Sequence, residues 1–296
     1  MEKKYKVDYI PKHSRKNKNK REIVVRRKVR RVKIKWVLFI LFIFIGIIIY
    51  SLYKIFNWNV DNKKTIDITK KIEEVTEVVE VDDTPETEIV NEEEDNSNPY
   101  WYYITFPLID VDISNLKSQN SDTVGWINVN NTNVNYPFVH TNNNDYYLKH
   151  SFDKSYNAAG WIFLDYRNNT IFSDRNNIIY GHSRLDKTMF GSLNKVLKSE
   201  WYSNKDNHII RISLENENTL WQIFSVYKIE TETYYITTNF NSDNEYMEFL
   251  NTIKNRSLYD FNANLNKDDK ILTLSTCYSD NERTVVHARL IKRSVK

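Results

Sequence analysis

Cysteine occurs once in the 296 residues, at Cys277. It lies in the stretch "ILTLSTCYSDNERTVVHARL", Ile271 to Leu290, between two runs that alternate like strands. A thiol is a good nucleophile only as thiolate, so an active one needs a base or a positive field beside it. Six histidines are available. His13 lies in a basic N-terminal arm, and His140, His150 and His208 sit in ordinary loop or strand-edge contexts. His287 alternates with Val285 and Arg289 and reads as a half-exposed strand residue. His182 stands just past the strand-like "NIIYG", where Gly181 lets the chain turn and hold an imidazole at a loop mouth. Alone, that position suits a base or a plain loop histidine. Arg283 follows Cys277 after "YSDNE". If the loop joins a hairpin, Cys277 ends one strand and Arg283 begins the next, about 4.8 Å away. The guanidinium fork then faces an oxyanion forming at the sulfur. The other reading is an arginine on solvent or paired with Asp280 or Glu282. One cysteine and scattered histidines make no metal-ligand set, so neither metal nor cofactor is expected.

Positioning such groups needs a scaffold, and the pattern from Tyr100 onward reads as strands at 124–129, 133–139, 160–165, 177–181, 208–213, 220–229, 270–275 and 284–291. Eight short strands with few helices predict a mainly β, closed or nearly closed barrel. Helices are predicted at 112–120 with Asp112 as N-cap, at 187–199 with Met189, Leu193 and Leu197 on one stripe, and at 242–255. In the last, Ser242 and Glu245 form a capping box before Tyr246, Phe249, Leu250 and Ile253.

The net charge of +3 conceals a split. Residues 1–35 hold 16 Lys/Arg against 3 Asp/Glu, and the other 261 residues hold 26 against 36. The arm is too charged to bury a core. It abuts "WVLFILFIFIGIIIYSLY", Trp36–Tyr53, which carries no charge. As a helix that run rises about 27 Å at ~1.5 Å per residue, near the lower limit for a hydrocarbon core about 30 Å thick. The basic cluster before it predicts a cytoplasmic N-terminus and an external C-terminal bulk. No small-residue cleavage site follows, which favours a retained anchor over a signal peptide. The arm therefore reads as a topology signal, with membrane and not nucleic acid as its partner. Residues 54–99 are acidic and glycine-free and read as an extracellular stalk extended by like charges. Four regions result: arm 1–35, span 36–53, stalk 54–99 and catalytic domain 100–296.

The order histidine, cysteine, arginine, with "TLSTC" leading into the cysteine and "YGH" carrying the histidine, resembles the sortases. These are membrane-anchored cysteine transpeptidases of Gram-positive bacteria. The resemblance covers roughly residues 100–296. "SDTVGWINVNNTNVNYPFVHTNNNDYYLKHSF", "GWIFLDYRN", "MFGSL" and "IFSVYKI" are similar to the class B branch. It implies a barrel of about eight strands, with Cys277 as nucleophile, His182 as general acid/base and Arg283 stabilising substrate and oxyanion. Ser275 and Thr276 would line the substrate groove, with Leu148 of "NDYYL" a further candidate. Cys277 would cut a sorting motif near the C-terminus of a secreted protein, leaving a thioacyl-enzyme. An amine of a lipid-linked peptidoglycan precursor would then resolve it. The loop from Cys277 to Arg283 is shorter than the class B pattern, which leaves the groove wall near Tyr278 open. A hydrolytic enzyme on the same fold, a pilin polymerase, and a non-enzymatic anchored ectodomain with an inert thiol are the alternatives. A papain-like peptidase has cysteine before histidine, the reverse of this order.

Overall fold

Alternating residues of the strand Ile271–Cys277 enter different clusters. Leu272 and Leu274 pack with Val286 and Ala288 in the main core, whereas Ile271 packs with Val285, Tyr246, Phe249 and Leu250 in a second one. That period of two makes a strand with both faces covered, one inside a barrel and one beneath a helix. The computed structural model describes residues 34–91, 93, 95, 97–277 and 281–296, and of Cys277 the main chain only.

The described residues fall into two units that divide between Phe56 and Asn57. Helix α1 (Ile34–Val75) begins in the first and ends in the second. The strands are β1 (Val79–Val81), β2 (Thr87–Ile89), β3 (Leu108–Asp110), β4 (Thr123–Val129), β5 (Asn135–Val139), β6 (Phe163–Leu164), β7 (Asn176–Gly181), β8 (Ile209–Leu214), β9 (Glu217–Glu230), β10 (Ile271–Cys277) and β11 (Glu282–Val295). The other helices are α2 (Tyr100–Tyr103), α3 (Ile113–Gln119), α4 (Ser199–Tyr202) and α5 (Asp243–Asn255). Eight strands pair in the order β10-β7-β6-β5-β4-β8-β9-β11, and β10 pairs back onto β11. The ring is closed, which removes the unpaired edges of an open sheet. The predicted eight-stranded barrel is therefore present.

The helices divide in outcome. Asp112 caps α3 by accepting from the Asn115 N–H at 2.9 Å. Ser242 caps α5 by accepting from the Glu245 N–H at 3.1 Å, and Tyr246, Phe249, Leu250 and Ile253 are its buried face. The Glu245 carboxylate reaches the Asn241 N–H at 2.7 Å instead of Ser242, so only half of the expected box forms. The helix expected at 187–199 is replaced by a Ser183–Met189 bridge, a 3₁₀ turn at Leu193–Leu197 and the short α4. Lys187 (φ 65°) and Met189 (φ 50°) both adopt left-handed backbone, which no α-helix can contain. The strand expected at 160–165 shrinks to β6, because Gly160 turns the chain at φ +62°.

The acidic tract expected as a stalk contains β1 and β2, paired with β3 and with the C-terminal end of β11. Its carboxylates meet cations of β11. Lys292 pairs with Asp83 at 2.6 Å, Arg293 with Glu88 at 2.6 Å, and Arg289 with Glu93 at 2.8 Å. Arg289 and Lys292 are each 1% exposed, so their charges need these partners. Summed tract charge favours extension, and specific pairing across 200 residues of sequence opposes it.

Candidate active site

Two strand pairings bring the predicted groups together. β7 and β10 run parallel, with Thr276 opposite Gly181 as their last pair. One residue further along the two chains stand Cys277 and His182. Adjacent strands lie about 4.8 Å apart. On the other side of β10, Cys277 is the register partner of Arg283 in β11. Directly opposed residues of an antiparallel pair have Cα atoms about 4.5–5.5 Å apart. The hairpin reading of "YSDNE" thus holds at the level of register. Asp280, one of the two alternative ion-pair partners for Arg283, and Tyr278, near the expected groove wall, lie outside the described residues.

His182 is half-buried, and its ring is held from two sides. Its Nε2 is 2.9 Å from the carbonyl oxygen of Leu148. A carbonyl only accepts, so Nε2 carries the proton and Nδ1 is the lone-pair nitrogen of the neutral ring. Among the described residues this is the ring's one side-chain hydrogen bond. Gly160 packs on the ring: a Cβ there would stand 2.8 Å from His182 Cδ2 and 2.5 Å from the Tyr147 carbonyl oxygen. Behind the histidine, Gly181 lies against Phe190, where a Cβ would be 2.8 Å from the ring. Two of the chain's five glycines therefore surround one histidine, a signal that the scarcity of glycine could have given.

Asn194 joins the neighbours of His182 and Arg283. Its Nδ2 donates to Ser183 Oγ at 2.9 Å, and its Oδ1 accepts from Thr284 Oγ1 at 2.6 Å. Ser183 follows His182, and Thr284 follows Arg283. β7 and β11 are separated by β10 in the barrel, so one side-chain amide ties the two flanks of the strand that ends in the cysteine. Arg283 is half-buried and donates from Nη1 to the Glu282 carbonyl at 3.1 Å, among other contacts.

The suggested groove residues differ in access. Ser275 is buried, with its hydroxyl 2.9 Å from Tyr235 Oη. Thr276 is buried as well, and its Oγ1 has no hydrogen-bond partner among the described residues. Leu148 is half-buried and contributes its carbonyl to His182. A shallow cavity of about 470 Å³ opens between Asn144, Tyr166, Arg167, Ile236 and Asn239. Tyr235, the partner of Ser275, is next to Ile236, and Asn144 is four residues before Leu148. Under this cavity the buried Asp165 accepts from Arg167 Nε at 2.8 Å and Nη2 at 2.7 Å, and from Tyr180 Oη at 2.9 Å. Burial would raise the Asp165 carboxyl, but the Arg167 and Tyr180 bonds outweigh it and hold the carboxyl below its usual range. A larger cavity of about 620 Å³, bordered by His140, Ser173, Glu217 and Lys270, sits where β7 and β10 begin. β10 runs roughly 20 Å from that end to Cys277, at ~3.3 Å per residue.

Two further histidines, His287 and His208, are accounted for by packing. His287 is fully buried, correcting the half-exposed reading. Its Nε2 is 2.8 Å from Tyr227 Oη and its Nδ1 2.8 Å from Thr273 Oγ1, and burial pulls its pKa down to about 3. His208 lies between Tyr103 and Tyr202 and is pulled down to about 4 by burial.

These features define a closed β-barrel with Cys277, His182 and Arg283 at adjacent strand ends of one rim. The domain family described as "Sortase domain" matches residues 127–291. The sortase B of Listeria monocytogenes is 34% identical over 186 residues, covering 62% of this chain and 75% of that protein. The sortase B of Staphylococcus aureus is 38% identical over 183 residues, covering 60% and 74%. Among solved structures, a Bacillus anthracis protein described as similar to sortase B is 42% identical with a TM-score of 0.57, covering 61% of this chain and 82% of that one. A Staphylococcus aureus sortase B–substrate complex is 37% identical with the same TM-score, covering 61% and 84%. The chain belongs to the sortase family, whose activity is cysteine transpeptidation on sorting-motif substrates, and the relatives it matches are sortase B proteins.

Proposed function

We propose that this protein is a membrane-anchored sortase of class B type that joins secreted proteins to a peptidoglycan amine. The observation that carries the site assignment is the register: Cys277 faces Arg283 across β10–β11 and lies one step past the Thr276–Gly181 pair that leads to His182. In this reading the Cys277 thiolate attacks the carbonyl of the scissile amide in the sorting motif. Nδ1 of His182, carrying the proton taken from the Cys277 thiol, gives it to the leaving amine, and Arg283 holds the negative charge of the tetrahedral oxygen. The incoming amine then attacks the thioacyl carbon, and Nδ1 of His182 takes its proton. The Leu148 carbonyl keeps Nε2 protonated, which leaves Nδ1 for this exchange.

An extended peptide reaching Cys277 passes the shallow cavity between Asn144, Arg167 and Ile236. The buried Ser275 acts by anchoring Tyr235 at that wall, and Thr276 by its main chain. α1 is long and apolar enough to be a candidate membrane span, and residues Trp36–Tyr53 on it are exposed. The basic arm ahead of that span supports a cytoplasmic N-terminus and an external catalytic domain. There a protein leaving the secretion channel and a lipid-linked amine meet at one surface, and tethering raises their effective concentration.

The test is incubation of the full chain in detergent micelles with quenched sorting-motif peptides, with and without amine acceptors. We expect cleavage with amine-dependent product, and none with Cys277→Ala. Cleavage that persists in Cys277→Ala removes the nucleophile assignment. Hydrolysis that no added amine diverts removes transpeptidation.

A further inference from the structure

The juxtamembrane half of α1 is packed against the segment that holds the histidine. Thr65, Ile68 and Ile72 are its buried residues, three and four apart, so they form one stripe. Asn157 is fully buried beneath them. Its Nδ2 lies 3.0 Å from Thr65 Oγ1, 3.3 Å from the Asp61 carbonyl and 2.8 Å from Ser151 Oγ, while its Oδ1 accepts from the Ala159 N–H at 2.8 Å. The main chain of Asn157 donates to the Lys149 carbonyl at 2.9 Å and accepts from the Gly160 N–H at 3.0 Å. The Trp161 N–H donates to the Tyr147 carbonyl at 2.9 Å. Lys149 and Tyr147 flank Leu148, whose carbonyl accepts from His182 Nε2–H, and Gly160 packs on the ring. On the other side of the histidine, Arg184 donates to the Asn62 side chain, one turn before Thr65 on the same helix. Lys64 adds a 2.8 Å bond to the Tyr156 carbonyl.

We propose that the buried stripe of α1 formed by Thr65, Ile68 and Ile72 is a working part of the active site: through Thr65 and Asn157 it sets the position of the Leu148 carbonyl and Gly160, and so the tautomer and aim of His182. The inference rests on the acid/base role proposed above for His182. Asn157 and Thr65 are positioning residues, since neither touches the reacting atoms. Docking of the helix switches the histidine between an ordered, Nε2-protonated ring and one with no fixed tautomer. A catalytic domain cut away at Tyr100 has the barrel and lacks this support.

The experiment compares full-length protein in micelles with Ile68→Asp/Ile72→Asp, Thr65→Val, Thr65→Ser and, on the exposed side of the helix, Lys70→Ala. Two readouts are taken: kcat and KM for a sorting peptide, and the imidazole ¹⁵N signals of His182. Misplacement of a catalytic group by about 1 Å costs up to about 100-fold. We expect the double aspartate variant to lose about 10-fold or more in kcat with KM within about two-fold, because only chemistry is misaligned. Its His182 signals become those of mixed tautomers while the barrel keeps its thermal transition. Thr65→Val loses about three-fold in kcat with the same trend in the ring signals, Thr65→Ser restores both, and Lys70→Ala changes neither. Parent-like kcat and a parent-like Nε2–H tautomer in a folded double variant overturn the proposal. If that variant fails to fold, Thr65→Val decides alone by the same two readouts. If the parent cleaves no sorting peptide, the functional reading fails, and the ring signals still decide whether the helix governs His182.

Discussion

His182 and His287 lie on opposite sides of the same strand, β10, and share almost nothing else. His287 faces Thr273 within β10–β11, is wholly buried, and spends both ring nitrogens on hydroxyls of Thr273 and Tyr227. His182 follows the end of β7, is half-buried, and spends one nitrogen on a carbonyl. An acid/base group needs a nitrogen that can exchange a proton and an environment that tolerates the charged ring. Burial denies His287 the second condition, and its two hydroxyl partners deny it the first. The contrast shows that strand ends, where the ladder stops but the register still holds, are where this barrel can combine fixed position with access.

The comparison breaks most sharply under substitution of the two rings. Cys277→Ala should abolish peptide cleavage. His182→Gln should lower kcat/KM by about 10²–10⁴, the span of general acid/base catalysis. His287→Gln should leave kcat within about three-fold and instead lower the unfolding midpoint in urea, since it disturbs a buried hydroxyl network. If His287→Gln matched His182→Gln in rate, the division between the histidines would be wrong. Arg283→Lys should follow, losing about 10²-fold in kcat, because a point charge replaces a planar fork of donors. Gly160→Ala forces a residue at φ +62° and puts a methyl against His182 and the Tyr147 carbonyl, so kcat and stability should both fall. Asn194→Leu should lower kcat about three- to ten-fold, and a double-mutant cycle with Thr284→Val should show coupling of about 1 kcal/mol.

The smallest and most general effect is on pH. His287 and His208 are held near 3 and 4 in the folded protein, below the ordinary value of 6.5. Between those values the unfolded chain binds more protons than the folded one, so stability rises with pH there. Their contribution is complete above about pH 6.5 and is lost as pH falls toward 3 to 4. Thermal unfolding of the parent between pH 7 and 4 should show this decline, and His208→Gln should flatten it. A midpoint that did not move across that range would mean neither ring is buried neutral.

Most of the barrel was legible because strand alternation is local: β4, β7, β8, β9, β10 and β11 each contain a run whose hydrophobic period is visible without the rest of the chain. The capping residues Asp112 and Ser242 were legible for the same reason. The stretch 187–199 was not, because two left-handed residues override its helical spacing. The acidic tract was read by net charge, while its fate depends on Arg289, Lys292 and Arg293, about 200 residues away.

The amino-acid sequence alone settled which atoms are available: one thiol, few histidines, an arginine at hairpin distance, and an uncharged run long enough to cross a bilayer. Side-chain chemistry and short-range periodicity are properties of neighbours along the chain. Only the folded structure decided that Cys277 stands beside His182 and opposite Arg283 in register, which nitrogen of the His182 ring faces a carbonyl, and that Gly160 and Asn194 pack around these strand ends. Those facts come from register between strands and from contacts across many tens of residues, where spacing in the sequence carries no distance.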